Sequence, residues 1–328
     1  MNKVIITDCD HSSIDIERSV LRKAGIELAH LCCGSEEDLI RECRGGAVML
    51  NQYAPFTERV IRELSPELKL IVRYGVGVDN IDVAAATKYG VAVCNVSDYG
   101  MNEVADHAAA MALALERRLN IMVPHVRSGQ WNYAESVPIH RFSEQTVGIV
   151  GLGRIGRMFA RRMSGFGCRL MGFDAFYPAG SIVENLVETV SWEQLLASSD
   201  VISIHCPLTE ETRGLFDAAA FAAMKPGAYL INTSRGHIVD EGDLLQALQR
   251  GEIAGAAMDV MAEEPADPEN PLLQLPNFIA TPHMGWYSEE AAEELKRKAA
   301  EEAVLFLTGR ALRYQINETG MKKEGKDG

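Results

Sequence analysis

Three glycines that follow a short apolar run have the spacing of a loop that binds dinucleotide phosphates. The run covers residues 147–150, and the loop is Gly151-x-Gly153-x-x-Gly156, with a helical pattern behind it. In such a loop the first glycine permits a tight turn, the second lets the backbone approach a pyrophosphate, and the third lets the helix pack on the strand. The free N–H groups and the positive end of the helix dipole then favour a negatively charged ligand.

A glycine-rich turn alone is weak evidence, and a second predicted strand strengthens it. That strand covers residues 169–173 and ends at Asp174. An acidic residue ~20 positions beyond the glycines is where a dinucleotide fold places the group that binds the adenosine ribose. The alternative is a structural glycine turn with an unrelated aspartate downstream. Because residues 175–178 include no arginine or lysine for a 2′-phosphate, we expect NAD to be preferred over NADP.

Three further residues lie where predicted strands end, namely Arg235, Glu264 and His283. Singly, each is typical of a structural or surface position, and a lone histidine at a strand end is usually a hydrogen-bonded structural residue. Together they match the needs of hydride transfer to a 2-oxo acid. A guanidinium can hold the carboxylate and polarise the keto oxygen, a histidine can supply the proton, and a carboxylate can orient that histidine and keep it charged.

The elements that must position these residues alternate between strand and helix along the chain, which indicates an α/β fold with parallel sheets. Residues 1–100 precede the glycine loop, so we expect them to form a separate unit for substrate binding. Ser288 is predicted to cap a last helix that runs to about Leu307 and stops at Gly309, with a frayed tail after Glu318. The strands are predicted at residues 4–7, 27–31, 47–50, 68–72 and 91–94, and then at 147–150, 170–173, 201–205, 228–232, 254–260 and 277–280.

Between the two halves, residues 102–118 are predicted to form a long helix, and residues 119–144 to form an irregular arm that packs on a partner subunit. The six strands from residue 147 onward match the number in a complete doubly wound dinucleotide sheet.

Composition limits the classes of function. The 328 residues carry a formal net charge of −14, which argues against nucleic acid as a partner. The seven cysteines are odd in number and show no CxxC spacing, so we expect reduced thiols, no disulfide framework and no metal site. The amino terminus does not read as a signal peptide, and no apolar run approaches a membrane span. These features predict a cytoplasmic protein with no membrane partner.

Over nearly its whole length the chain resembles the D-isomer-specific 2-hydroxyacid dehydrogenase family. The matching motifs, in order, are Tyr74-Gly-Val-Gly-Val-Asp-Asn80, Gly151-Leu-Gly-Arg-Ile-Gly156, His205-Cys-Pro-Leu-Thr209, Asn232-Thr-Ser-Arg-Gly236, the run from Asp259 to Pro265, and Pro282-His283. The resemblance implies a Rossmann NAD-binding domain over residues 101–293, inserted into a smaller flavodoxin-like substrate domain of residues 1–100 and 294–328.

The resemblance also implies functional residues. Arg235, Glu264 and His283 are the implied catalytic residues, and the N–H groups of Val76 and Gly77 are an implied cradle for the substrate carboxylate. The residues implied to bind the cofactor NAD (NADH) are Gly151, Gly153, Arg154, Ile155, Gly156, Asp174, His205, Cys206, Pro207, Thr212, Thr233, Ser234, Arg235, Asp259, His283 and Gly285.

Within the family, the run from His283 to Glu289 is similar to the C-terminal-binding protein branch, as is Arg73 ahead of its glycine-rich loop. That likeness implies Arg73 and Trp286 as substrate-pocket residues, although Trp286 is also consistent with core packing. We expect neither the long carboxyl-terminal extension of that branch nor a regulatory domain like that of longer phosphoglycerate dehydrogenases. Glu264 argues against the formate dehydrogenase branch, which carries glutamine at the matching position.

The sequence therefore predicts an NAD-dependent oxidoreductase that interconverts a small D-2-hydroxy acid and its 2-oxo acid, with His283 as general acid and base. The alternative is an NAD(H)-sensing, co-repressor-like binding protein in which turnover is incidental. The resemblance and the arm predict a homodimer. The side chain of the substrate stays open, because it depends on loops around residues 51–56, Tyr99 and Trp286.

Overall fold

A computed structural model describes residues 3–319, and these divide into two units. The first unit is Met1–Gly100 with Ser288–Gly328, and the second is Met101–Tyr287. The sequence placed the second boundary after residue 293, whereas the structure keeps the last helix whole within the first unit. Most of the tail that was predicted to fray lies outside the described residues.

The first unit contains a five-stranded parallel sheet in the order β2-β1-β3-β4-β5. This is the flavodoxin-like order, as the resemblance implies. The central strands are buried and apolar, as expected when helices cover both faces of a parallel sheet. The strands are β1 (Val4–Ile6), β2 (Leu28–His30), β3 (Val48–Asn51), β4 (Leu70–Arg73) and β5 (Ala92–Asn95), and the helices are α1 (Asp15–Lys23), α2 (Glu36–Glu42), α3 (Glu58–Leu64), α4 (Val83–Lys88) and α11 (Glu289–Leu307).

Short polar side chains fix where the helices of this unit begin. The side chains of Ser35, Thr57 and Asp82 each accept a hydrogen bond from a backbone N–H of the first turn that follows. Ser288 caps α11 in the same way, and Gly309, just beyond the end of α11, has φ 71° in the left-handed region that often ends helices. These ends are the ones that the cap residues predict.

The second unit contains an eight-stranded sheet in the order β13-β12-β11-β10-β6-β7-β9-β8, parallel except for β8. The order from β9 to β12 is that of a doubly wound dinucleotide fold. Its strands are β6 (Thr146–Val150), β7 (Arg169–Phe173), β8 (Ile182–Val183), β9 (Val187–Thr189), β10 (Val201–Ile204), β11 (Tyr229–Asn232), β12 (Gly255–Met258) and β13 (Phe278–Ala280). Its helices are α5 (Met101–Glu116), α6 (Leu119–Arg127), α7 (Arg154–Ser164), α8 (Trp192–Ser198), α9 (Ala218–Ala223) and α10 (Glu241–Arg250), with short 3₁₀ turns at Ala134–Ser136, Phe142–Glu144, Gly236–Ile238 and Pro271–Gln274.

The prediction of six strands was wrong, because β8 and β9 were missed. These strands are two and three residues long, too short for a recognisable alternation of apolar and polar residues. Glu184 and Asn185 join them with φ of 52° and 56°. Two successive left-handed residues make a tight hairpin turn, which is usually marked by glycine.

The prediction of an irregular segment was wrong for residues 119–127, which form α6. Pro124 lies inside this helix. Because proline lacks a backbone N–H and usually interrupts a helix, the sequence around it did not indicate one. Arg118 precedes it with φ 50°, so the chain turns sharply between α5 and α6.

Buried apolar side chains cover both faces of the second unit's sheet. One cluster includes Phe216 and Phe221, and the other packs α5 and α7 on the opposite face through Leu115 and Phe159. This packing holds the carboxyl ends of the strands in fixed positions. Among residues 3–319, none of the helices combines the length and apolar character that crossing a bilayer requires.

Candidate functional site

The glycine loop joins β6 to α7 and has the geometry that its spacing predicts. Gly151 has φ 93°, and a Cβ there would lie 2.6 Å from the backbone N of Cys206. A Cβ at Gly156 would lie 2.0 Å from the carbonyl oxygen of Gly151, so the helix and the loop touch. A Cβ at Gly153 would meet nothing within 4 Å, and Gly153 provides no side chain to cap α7. The helix therefore presents open backbone, with Arg154 and Ile155 in its first turn, to an anionic ligand.

Asp174 follows β7 and lies beside this loop. Its carboxylate accepts hydrogen bonds from the N–H of Leu152 at 2.6 Å and from the N–H of Phe176 at 2.8 Å. Each carboxylate oxygen can accept more than one hydrogen bond, so ribose hydroxyls are compatible with these contacts. The same contacts show that Asp174 also shapes the glycine loop.

The segment after β10 carries the next implied cofactor residues. The Nε2 of His205 lies 2.9 Å from the hydroxyl of Ser203, and burial lowers the pKa of His205 to about 3. Burial also raises the pKa of the Cys206 thiol to about 11. The hydroxyl of Thr212 donates to the carbonyl of Pro207 at 2.7 Å, which closes the loop. The side chains of His205 and Cys206 are therefore uncharged at neutral pH.

The segment after β11 is held by Asn232, which the sequence analysis names as the start of a matching motif but to which it assigns no role. The buried Asn232 donates from Nδ2 to the carbonyl of Arg235 at 2.9 Å and accepts from the N–H of Ser234 at 3.0 Å. The hydroxyl of Ser234 in turn donates to Ile204, and the Thr233 hydroxyl has no hydrogen-bond partner among residues 3–319. An amide that spans three residues at a strand end is the signal that could have identified Asn232.

Arg235 and Glu264 follow adjacent parallel strands, β11 and β12. The guanidinium of Arg235 is partly buried and donates to the carbonyl of Ser234 at 2.7 Å. Glu264 accepts from the N–H of Met261 at 3.0 Å. Burial acts to raise the pKa of Glu264, but the hydrogen bond and charge of His283, the Met261 N–H and the charge of Arg235 outweigh it and lower that pKa.

His283 follows β13, the neighbour of β12, and contacts Glu264 directly. Its Nδ1 lies 2.6 Å from the Oε2 of Glu264, and both side chains are partly exposed. The backbone of His283 has φ 50°, in the left-handed region that costs a non-glycine residue about 1 kcal/mol or more. The structure therefore brings Arg235, Glu264 and His283 to the same edge of one sheet.

Asp259 follows β12 and is another of the residues implied to bind the cofactor. It is buried, and its carboxylate accepts from the Thr281 hydroxyl at 2.5 Å and from the N–H groups of Met284 at 3.0 Å and Gly285 at 2.8 Å. Burial acts to raise the pKa of Asp259, but hydrogen bonds from His107, Thr281 and the two N–H groups lower it. The predicted cofactor contacts of Asp259 and Gly285 stay predictions.

The implied substrate residues of the first unit lie at the carboxyl end of β4 and in the turn that follows it. Arg73 donates from Nη1 to the carbonyl of Tyr74 at 2.6 Å. Val76 is exposed, and its carbonyl accepts from the Nδ2 of Asn95 at 2.6 Å, so the turn containing Gly77 is held by β5. In the second unit, Trp286 is partly buried with its ring 5.5 Å from that of Tyr287. The substrate role of all four residues stays a prediction.

The residues of the second unit fit a bound NAD. The glycine backbone leaves room for a pyrophosphate, Asp174 offers acceptors to a ribose, and the Thr233 hydroxyl is a buried donor with no protein acceptor. No group of three or more histidine, cysteine, aspartate or glutamate side chains in the described part of the chain could hold a metal ion.

Comparison with known proteins identifies the family. A family model described as "D-isomer specific 2-hydroxyacid dehydrogenase, NAD binding domain" matches residues 109–285. The D-3-phosphoglycerate dehydrogenase of Archaeoglobus fulgidus is 37% identical over 90% of this chain and 56% of its own length. The glycerate dehydrogenase of Methylorubrum extorquens is 36% identical over 84% of this chain and 87% of its own length.

Among solved structures, an NAD-dependent formate dehydrogenase from Staphylococcus aureus in complex with NAD has a TM-score of 0.87 and 29% identity, covering 98% of this chain and 100% of that one. The chain spans about half the length of the phosphoglycerate dehydrogenases that it matches. The chain belongs to the D-isomer-specific 2-hydroxyacid dehydrogenase family, which confirms the predicted family, the fold class, the oxidoreductase class and the NAD cofactor.

Proposed function

We propose that the protein interconverts a small D-2-hydroxy acid and its 2-oxo acid, with His283 as general acid and base. The observation that carries this proposal is the 2.6 Å contact between Nδ1 of His283 and Oε2 of Glu264. These two residues follow β13 and β12, and Arg235 follows β11, the strand beside β12. Reduction of a 2-oxo acid requires a group that donates a proton and a group that binds the carboxylate and keto oxygen. An imidazole oriented by a carboxylate can do the first, and a nearby guanidinium can do the second.

The side chains of the second unit bind the substrate and exchange a proton with it, and NADH held at the glycine loop would supply the hydride. Because Glu264 engages Nδ1, the Nε2–H of His283 is left to donate a proton to the carbonyl oxygen. The planar guanidinium of Arg235 can hold the carboxylate and the keto oxygen together, and the second contact strengthens as negative charge develops. In oxidation, the neutral Nε2 of His283 takes the hydroxyl proton.

Glu264 acts through His283. Its lowered pKa keeps its carboxylate ionised through the pH range in which an imidazole gains or loses a proton. The ionised carboxylate fixes the ring orientation and stabilises the imidazolium that reduction needs. We assign Glu264 as the group that tunes His283 and does not itself exchange protons with the substrate.

The first unit is proposed to contribute the N–H groups of Val76 and Gly77, with Arg73, to binding of the substrate carboxylate. Its loop after β3 is tied to two acidic residues. Asp8 accepts from the N–H of Tyr53 at 2.6 Å, and Asp10 accepts from the side chains of Gln52 at 2.7 Å and Tyr53 at 3.0 Å. These hydrogen bonds hold the loop of residues 51–56, one of the segments on which the choice of substrate side chain is predicted to depend.

We also propose a homodimer in the cytoplasm. Residues of the 119–144 arm expose apolar surface, including Leu119 at 50%, Trp131 at 89% and Tyr133 at 78%. Burial of such a surface against a second copy would be favourable. Free thiols at all seven cysteines support a reducing compartment. Light scattering of the purified protein, with Trp131→Ser as the arm variant, tests the dimer.

An NAD(H)-sensing binding protein is the second candidate, favoured by the likeness of the His283–Glu289 run to the C-terminal-binding protein branch. A steady-state assay discriminates the two. NADH is offered with a panel of 2-oxo acids that includes glyoxylate, pyruvate, hydroxypyruvate and 3-phosphohydroxypyruvate, and NADH binding is measured separately. Turnover that yields the D-hydroxy acid supports the enzyme. Tight NADH binding without turnover of any 2-oxo acid supports the sensor.

A further inference from the structure

We propose that His107 and Thr281 are positioning residues that hold the catalytic loop, Thr281–Gly285, in its active shape. The inference rests on the proposed role of His283, which this loop carries. His107 lies on α5, far along the sequence from the loop, and the motifs that identify the family do not include it.

The loop is anchored on a buried carboxylate. Asp259 accepts from the hydroxyl of Thr281 at 2.5 Å and from the N–H groups of Met284 and Gly285. The N–H of His283 donates to the backbone carbonyl of Asp259 at 2.8 Å. Every residue of the loop except the proline at 282 is therefore bonded to Asp259.

His107 completes this network from the other side. Its Nε2 lies 2.9 Å from the Thr281 hydroxyl oxygen and 3.4 Å from the Oδ1 of Asp259. A hydroxyl has one proton, and Thr281 gives it to Asp259. The Thr281 oxygen must then accept from His107, so the Nε2 of His107 carries a proton. The chain of donors runs from His107 through Thr281 to Asp259.

The loop needs this support because its backbone is strained and closely packed. His283 has φ 50°, a left-handed conformation that is uncommon for a residue with a side chain and costs about 1 kcal/mol or more. A Cβ at Gly285 would lie 2.8 Å from Oδ2 of Asp259 and 3.2 Å from Cδ2 of His107. The ring of His107 therefore fills the space beneath the loop as well as donating to it, and its loss would free the His283 backbone to relax away from Glu264.

Paired substitutions at Thr281 separate positioning from general stability. Thr281→Ser keeps the hydroxyl, and Thr281→Val keeps the shape without it. We expect Thr281→Val to lower kcat for 2-oxo acid reduction by up to about 100-fold, as small misplacements do, and to move the alkaline limb of its pH profile to lower pH. Thr281→Ser should restore both.

The matched control is Thr189→Val on β9, which removes a buried hydroxyl that donates to Pro178 at 2.7 Å. This control substitution should lower the melting temperature. It should leave kcat and the alkaline limb of the pH profile for 2-oxo acid reduction unchanged. If Thr281→Val retains wild-type kcat and an unmoved limb, or behaves like Thr189→Val, the inference is overturned while the proposed function stands.

The wild-type protein gives a test that needs no turnover. In ¹⁵N-edited NMR of histidine-labelled protein, with His107→Gln used to assign the signal, Nε2 of His107 should be protonated and its proton protected from exchange. An unprotonated Nε2 contradicts the donor chain directly. If the wild type reduces no 2-oxo acid but this signal is present, the proposed function fails and the hydrogen-bond network is supported.

Discussion

The Nδ1 of His283 lies 2.6 Å from the Oε2 of Glu264, although the two residues are on loops that follow different strands. In the proposed mechanism, this contact leaves Nε2 as the ring nitrogen that exchanges the proton with the substrate. It also makes the charge of the imidazole dependent on that of the carboxylate, so the pair can be tested by removing the carboxylate charge alone.

Glu264→Gln keeps the shape of the side chain and removes its charge. Reduction needs the imidazolium and oxidation needs the neutral ring, and the carboxylate stabilises the imidazolium. The alkaline limb for reduction and the acid limb for oxidation should therefore both move to lower pH. The measurement is kcat/KM against pH in both directions.

Glu263→Gln, the exposed neighbour, is the matched control for this experiment and should leave both limbs unmoved. Limbs that stay in place in Glu264→Gln would mean that Glu264 is a structural residue of its loop.

Arg235→Lys keeps a positive charge and loses the planar fork. If Arg235 binds the keto oxygen as charge develops on it, the substitution should lower kcat as well as raise KM, with kcat/KM falling on the order of 100-fold. Arg250→Lys, at the exposed end of α10, should leave both constants unchanged. A rise in KM at constant kcat would show that Arg235 binds ground state and transition state equally.

Asp174 should set the choice of cofactor. A 2′-phosphate beside its carboxylate would meet like charge, so we expect kcat/KM with NADH to exceed that with NADPH by at least about 10-fold. Asp174→Ala should narrow the difference and also weaken NADH binding, since the carboxylate holds the N–H of Leu152 in the glycine loop. Equal efficiency with both cofactors in the wild type would refute this role.

Glu116, buried at the end of α5, should make the protein less stable as pH rises. Burial raises its pKa to about 7, although a hydrogen bond from Gln145 acts to lower it. The folded state therefore binds a proton between pH 4.5 and 7 that the unfolded state has lost, and stability falls as pH rises through this window. The shift corresponds to about 3 kcal/mol.

Glu116→Gln should accordingly stabilise the protein at pH 8 more than at pH 5, as measured by the difference in Tm from the wild type. Glu135→Gln, an exposed carboxylate, should show no such pH dependence. An equal Tm difference at both pH values would contradict the raised pKa of Glu116.

Local signals were sufficient to predict the central strands, the glycine loop and the last helix. Val147 to Val150 must form a buried strand if the glycines that follow are to turn, and Ser288 with two acidic residues marks a helix start without help from the rest of the fold. The hairpin through Glu184 and Asn185 was missed because its strands are only two and three residues long and no glycine marks its turn. The helix around Pro124 was missed because proline usually ends such a pattern.

The residues of the candidate site also differ in how far the sequence indicates them. Arg235, Glu264 and His283 could be proposed as catalytic residues because each stands beside glycine or proline after a predicted strand, and their roles stay predictions. Thr281 and His107 could not be linked in this way, because the hydrogen bond between them joins residues far apart in the sequence and no spacing reveals it.

The central claim, that His283 transfers the proton, is tested most directly by measuring His283→Asn in two assays with the same enzyme preparation. NADH binding, followed by fluorescence, should remain within a few-fold of the wild type, whereas reduction of the best 2-oxo acid of the panel should fall by at least about 100-fold, the lower end of what general acid catalysis contributes. Retained turnover in His283→Asn would contradict the account.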